Sequence, residues 1–188
     1  MRKLFAAFGN IKMTTTIAAL VLIAIIGSIA AVSGTIYMSL YAQSIADSKV
    51  QQETNLAVAA TILERRISGS VLNWTEEGTM DAFQSWAVPP FYDTEIIDSV
   101  TRVTKQDASI YVLDAATQTL VGKTTSLAAP DGTRVADLIL DQSSPAYTAT
   151  LAGEPFIGQL PINGITYFAA LQPIEKMSGE VMGAIFVG

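Results

Sequence analysis

The chain has 188 residues, a formal net charge of −6, and neither Cys nor His. Without those side chains, zinc sites and Ser-His or thiol catalysis lack their usual groups, and an acidic chain whose densest basic spot is Arg65-Arg66 has no surface for nucleic-acid phosphates. The composition is that of a protein expected not to be an enzyme, to use no cofactor and to bind no nucleic acid; without Cys it is also not a lipid-modified lipoprotein and has no disulfides.

Charge is divided along the chain. Arg2, Lys3 and Lys12 precede an uncharged run over residues 13–46, whose centre at 17–32 is almost wholly aliphatic. A helix of about 20 apolar residues crosses about 30 Å of hydrocarbon, so residues 13–41 are expected to be a transmembrane helix behind a cytoplasmic segment, 1–12. Lys and Arg stay on the cytoplasmic side of such a helix. From Asp47 onward there are 17 acidic residues against 8 basic ones, which puts 42–188 outside the cytoplasm as one domain of ordinary size. The competing reading is a cleaved signal peptide with Ser28-Ile29-Ala30 as its small-residue stretch. Against it, the apolar run is longer than the usual 7–15 residues and continues past Tyr37 without a Pro.

No Pro occurs between the apolar run and Pro89, and no Gly between Gly34 and Gly69, so one helix is expected to continue to about Ser68. Leu56, Ala59, Leu63, Ile67 and Val71 recur at three- and four-residue steps, the spacing of a buried stripe. Residues 47–55 are polar apart from Val50 and stand in water or pair with a second copy. Thr75-Glu76-Glu77 ahead of Met80-Asp81-Ala82-Phe83 reads as a helix start with acids near the positive end of the dipole, stopped by Pro89-Pro90. A second short helix is expected over 94–104. Trp86, Phe91 and Tyr92 flank the proline pair and either line a pocket or plug the lid of a core.

From Ala108 the period changes to that of strands. Residues 109–113 and 119–125 read as two strands, and Asp131-Gly132 marks a turn. Ser144-Pro145 opens a short helix that Gly153 closes. Two apolar runs, 156–162 and 165–171, flank Asn163-Gly164, whose residues suit the positive φ values of a two-residue hairpin turn. That turn pairs Ile162 with Ile165, Leu160 with Tyr167, Gly158 with Ala169 and Phe156 with Leu171, an apolar face suited to a core against the long helix. The other face, with Gln159, Thr166 and Phe168, is left for solvent or a ligand. A last strand is expected over 181–187. The fold class is α+β: a transmembrane helix continuing into a long helix, then a five-stranded antiparallel sheet.

The anchor, the long helix, the sheet and the runs Thr124-Thr125-Ser126-Leu127, Asp131-Gly132-Thr133-Arg134, Pro145-Ala146-Tyr147, Leu151-Ala152-Gly153-Glu154-Pro155-Phe156, Gln172-Pro173-Ile174 and Gly183-Ala184-Ile185-Phe186-Val187-Gly188 resemble the single Cache sensor domains of bacterial transmembrane receptors. The resemblance covers about residues 43–188. It implies a PAS-like extracytoplasmic sensor that binds a small molecule between its sheet and overlying loops. Such domains occur most often in methyl-accepting chemotaxis proteins, as homodimers in the inner membrane with the sensor in the periplasm, and also in histidine kinases and cyclic-nucleotide enzymes. The chain is expected to be the N-terminal, ligand-sensing portion of such a chemoreceptor, without the second membrane helix, HAMP linker and signalling module. A sensor region of a kinase or cyclic-nucleotide enzyme, or a membrane-anchored binding protein, is the alternative. The resemblance departs at Gly122, where relatives often carry Arg.

For ligand contact the first choices are Lys123 and Thr125, which alternate onto one face of the second strand and suit a carboxylate by charge and hydroxyl donation. Tyr111, Gln159 and Phe168 are second choices, with Trp86 and Tyr147 closing the pocket. The expected ligand class is a small carboxylate or amino acid. Lys123 equally suits a protective edge-strand lysine, and Thr125 a plain strand former.

Overall fold

A computed structural model describes residues 13–129, 132–135 and 138–188 of the chain. The expected cytoplasmic segment 1–12, with Arg2, Lys3 and Lys12, and Asp131 of the expected turn lie outside the described residues. Two compact units result, divided between Ala46 and Asp47.

Helix α1, Met13–Arg66, runs for 54 residues. Within the first unit Leu20, Ile23, Ile26 and Val32 are all more than half exposed. It is the one helix among the described residues long and apolar enough to cross a membrane. Within the second unit Leu56, Ala59, Ala60, Leu63 and Ile67 are buried. The stripe ends one step earlier than the spacing suggested, because Val71 has left the helix and stands exposed in a strand. Arg65 and Arg66 occupy the last turn, where cations complement the dipole, and Gly69 turns the chain at φ +81°.

The expected helix after Thr75 is instead a hairpin. Strand β1, Ser70–Trp74, pairs antiparallel with β2, Met80–Ser85. Glu76 and Glu77 sit in its turn: Gly78, at φ +80°, donates its N–H to the Thr75 carbonyl at 3.0 Å, and the Thr75 and Thr79 hydroxyls share a hydrogen bond of 2.7 Å. The reason is burial at period two. Leu72 and Phe83, opposite each other in the register, both enter the core, which a helix over 75–86 would not achieve. β2 then pairs in parallel with a later strand, so the sheet has seven strands and is mixed, where five antiparallel strands were expected.

Those five are present within it. After α2, Glu95–Thr104, come β3, Ala108–Asp114, and β4, Thr119–Thr125; after α3, Pro145–Leu151, come β5, Phe156–Ile162, β6, Ile165–Glu175, and β7, Val181–Val187. The order is β1-β2-β6-β7-β3-β4, with β5 also paired to β6. β5 meets β6 in the register the Asn163-Gly164 turn dictates, with φ of 49° and 79° at the two turn residues. Ser144 caps α3, its hydroxyl accepting from the Tyr147 N–H at 3.1 Å.

The sheet separates two cores. On one face α1 and α2 bring Leu63, Ile67, Ile97 and Val100 against Ile110, Ala170, Ile174 and Ile185. On the other, Tyr111, Leu160, Leu171 and Phe186 lie with Leu127, Leu138, Leu140 and Ala146. The apolar face of the β5–β6 hairpin thus meets the β4–α3 connection and α3, and its opposite face belongs to the α1 side, the reverse of the expectation. The connection supplies three leucines that require an apolar floor, and strand parity then turns Ala170 and Ile174 toward α1.

Candidate ligand site

The pocket arises from an irregularity in β4. Ile110 pairs with Thr124 and Tyr111 pairs with Gly122, which leaves Lys123 as the extra residue of a β-bulge; such bulges re-aim a side chain at a sheet margin. On the outer edge of β4, the Gly122 N–H donates to the Leu138 carbonyl at 2.7 Å and the Leu140 N–H to the Leu120 carbonyl at 3.0 Å, so the returning chain covers this stretch of edge. A Cβ on Gly122 would stand 3.2 Å from both the Cβ and the carbonyl oxygen of Leu138. That close approach is the physical reason for glycine at the position where the resemblance expects Arg.

Beside the bulge lies a cavity of about 310 Å³, lined by Phe91, Tyr92, Asp93 and Thr94 ahead of α2, by residues 122–125 of β4, and by Arg134 and Val135 of the connection. Arg134 is fixed in it. Nη1 donates to the Thr125 carbonyl at 2.9 Å, and Nη2 donates to Asp98 Oδ1 of α2 at 2.6 Å. Thr94 Oγ1 donates to the second Asp98 oxygen at 2.8 Å. Partial burial of Asp98 opposes ionisation, but the hydrogen bonds from Arg134 and Thr94, with the charges of Arg134 and Arg102, outweigh it and hold this carboxyl below its ordinary value. Asp98 therefore neutralises Arg134. Lys123, by contrast, is exposed and has no hydrogen bond or ion pair among the described residues. Asp93 supplies a carboxylate to the same cavity, with one oxygen accepting the Glu95 N–H at 3.1 Å. The cavity thus carries one unpaired cation, one carboxylate and an aromatic wall from Phe91 and Tyr92, a lining suited to a small polar molecule bearing an anionic group.

Of the residues singled out from sequence, Lys123 and Thr125 meet in this cavity. Thr125 is buried, and its hydroxyl is engaged, sharing a 2.6 Å hydrogen bond with Ser109 and accepting from the Leu127 N–H at 3.0 Å; it shapes the start of the β4–α3 connection. Tyr111 stands in the core of the other face, edge-on to Phe186 at 6.4 Å, where burial pushes its phenol pKa up. Gln159 and Phe168 are cross-strand partners on the β5–β6 hairpin, away from the cavity. Trp86 is 75 % exposed and lies against Gly69. Tyr147 donates its hydroxyl to the Gln118 carbonyl at 2.5 Å, fastening α3 to the β3–β4 turn. Arg134, Asp93 and Asp98 were not singled out. Their positions come from two separated segments, and only the Asp131–Arg134 run carried any signal.

A sheet flanked by helices, with a polar cavity at its margin, is the architecture of a small-molecule-binding module, and the chain also carries, among the described residues, one helix long and apolar enough to cross a membrane. The family model of the Cache 3/Cache 2 fusion domain matches residues 76–188, more than half of the chain. The chain belongs to the Cache family. Cache domains are extracellular sensor modules of chemoreceptors and histidine kinases and bind small molecules. No curated protein matches the chain.

Proposed function

We propose that the chain is the ligand-sensing portion of a transmembrane chemoreceptor, held in the bacterial inner membrane by residues 13–41, with residues 42–188 in the periplasm as a single Cache domain. The ligand is a small carboxylate, most simply an amino acid. Lys123 receives its carboxylate, Asp93 receives its ammonium group, and Phe91 and Tyr92 face its side chain. The observation that carries this reading is the pairing inside the cavity: Asp98 satisfies Arg134, whereas Lys123 makes no direct ion pair among the described residues and acts on Asp114 only by its charge.

A sensor transmits only if its ligand binds one arrangement better than another, with about 1–3 kcal/mol needed for a useful coupling. The cavity wall offers such a lever. Asp93 and Thr94 lead directly into α2, Asp98 ties α2 to Arg134, and Glu95 at the start of α2 meets Arg66 at the end of α1 at 3.5 Å. A ligand drawing residues 91–94 toward β4 biases α2, and through Ile97 and Val100 the buried stripe of α1. The chemoreceptor is expected to act as a homodimer.

The test is a thermal-shift screen of the full chain in detergent micelles against amino acids, their amides and decarboxylated amines, and small carboxylates such as acetate and succinate. At least one carboxylate should raise the melting temperature progressively with concentration. No stabilisation by any carboxylate, or equal stabilisation by an amino acid and its amide, contradicts the reading.

A further inference from the structure

A second cavity, of about 520 Å³, lies away from β4, toward the β1–β2 end of the sheet, between the Asp47–Arg66 part of α1, the β1–β2 hairpin and the β5–β6 hairpin. Val50 and Glu53 of α1, Trp74 and Met80 of the hairpin, and Ile157 and Gln172 of the sheet form its walls. None of these residues belongs to the site above.

Gln172 sets the chemistry. It is only 2 % exposed, and its Nε2 donates to the Asp81 carbonyl at 3.4 Å. A carbonyl only accepts, so this bond fixes which end of the amide is which. Gln172 lines the cavity, and its Oε1 is a buried acceptor with no partner among the described residues. A buried acceptor left unpaired carries its full desolvation penalty, so an occupant that donates a hydrogen bond here gains more than one that does not. At the rim Glu53 is exposed and has no ion-pair partner among the described residues. No Lys or Arg lines the cavity. The remaining walls are greasy and incompletely covered: Trp74 is 49 % exposed and Val50 61 %. Acceptor, carboxylate and apolar walls together select an ammonium donor on an apolar body, and the half-open Trp74 ring adds the face a cation favours.

We propose that this second cavity is a binding site for a small hydrophobic amine, its ammonium group donating to Gln172 Oε1 and lying within the field of Glu53, its apolar body against Trp74, Met80 and Ile157. An occupant there touches α1 and the β1–β2 hairpin at once. It therefore reaches the long helix by a route that does not pass through Lys123, and one domain holds an anion-selecting and a cation-selecting site toward opposite edges of the sheet.

The experiment uses the full chain in detergent micelles and phenethylamine as probe, read by tryptophan emission. The chain has two Trp residues, so Trp86→Phe isolates the Trp74 signal. A saturable change in Trp74 emission is expected, absent with phenylacetate and absent from empty micelles. Gln172→Leu removes the acceptor at similar volume and should weaken binding about tenfold or more, the effect of losing one hydrogen bond to a charged group. Glu53→Gln, at an exposed helix position that leaves the core untouched, should weaken it about threefold or more. Unsaturable change, an equal response to phenylacetate, or unchanged affinity in whichever of these two variants folds overturns the proposal. So does loss of binding in Asp93→Asn without loss in Glu53→Gln, which places the amine in the first cavity.

Discussion

Gly183→Ala tests the contact on which the arrangement of the sheet depends. Gly183 of β7 pairs with Val112 of β3, and a Cβ built on it would stand 2.1 Å from the Tyr111 carbonyl oxygen, with Val112 Cα at 3.2 Å. Both obstacles are backbone, so no rotamer change relieves them. Restoring an ordinary contact means moving β7 or β3 by about 1 Å, which loosens the pairings of Val112 with Gly183 and Tyr111 with Ala184. Overpacking costs about 1–3 kcal/mol, and each weakened ladder bond about 1 kcal/mol more, so a loss of about 3–4 kcal/mol is expected. At about 3 °C per kcal/mol for a domain of this size, the melting temperature of the full chain in micelles should fall by about 10 °C, followed by near-ultraviolet circular dichroism. Gly164→Ala is the control. Its φ is +79° but nothing lies within 4 Å, so only the left-handed backbone cost of about 1–2 kcal/mol applies. If the Gly183 variant melts within about 2 °C of the unaltered chain, or no lower than the Gly164 variant, the close approach of β3 and β7 is wrong.

Asp98 gives a prediction in pH. Its folded carboxyl ionises below its ordinary value, so its contribution to stability is present above the unfolded value of about 3.9 and disappears as pH falls through the folded one. With the Arg134 and Asp98 side chains 43 % and 34 % exposed, solvent holds that contribution to about 1 kcal/mol or less. Urea titrations of Asp98→Asn should therefore show a small deficit at pH 7 that shrinks only as pH falls below about 4; a deficit that grows in acid contradicts the assignment. Orientation is open to labelling, because the chain has no native Cys. Ser178→Cys, at an exposed turn before β7, should react with a membrane-impermeant maleimide added to intact spheroplasts. Labelling only after lysis places the domain on the wrong side.

How legible the molecule was in its sequence depended on how local each signal is. The β5–β6 register was readable because Asn163 and Gly164 alone determine the turn, and α3 because Ser144 and Pro145 specify a cap within two residues. The β1–β2 hairpin was not. Thr75-Glu76-Glu77 has the composition of a helix start, and only the burial of Leu72 and Phe83 against distant partners decides for strands. The bulge at Lys123 was equally hidden, since the extra residue follows from the returning chain at Leu138. Of the site, Lys123 was visible as a cation on a strand, whereas Asp93 and Arg134 reach the same cavity by tertiary structure alone.

The account rests on Lys123 as the anion-receiving group of a sensor cavity. The most direct test is titration calorimetry of the strongest carboxylate stabiliser against the full chain and against Lys123→Ala. Losing a charge-assisted hydrogen bond should weaken binding about tenfold or more, while the exposed position leaves the melting temperature without ligand unchanged. Equal affinity in the two proteins contradicts the account and removes the cavity beside β4 as the sensing site.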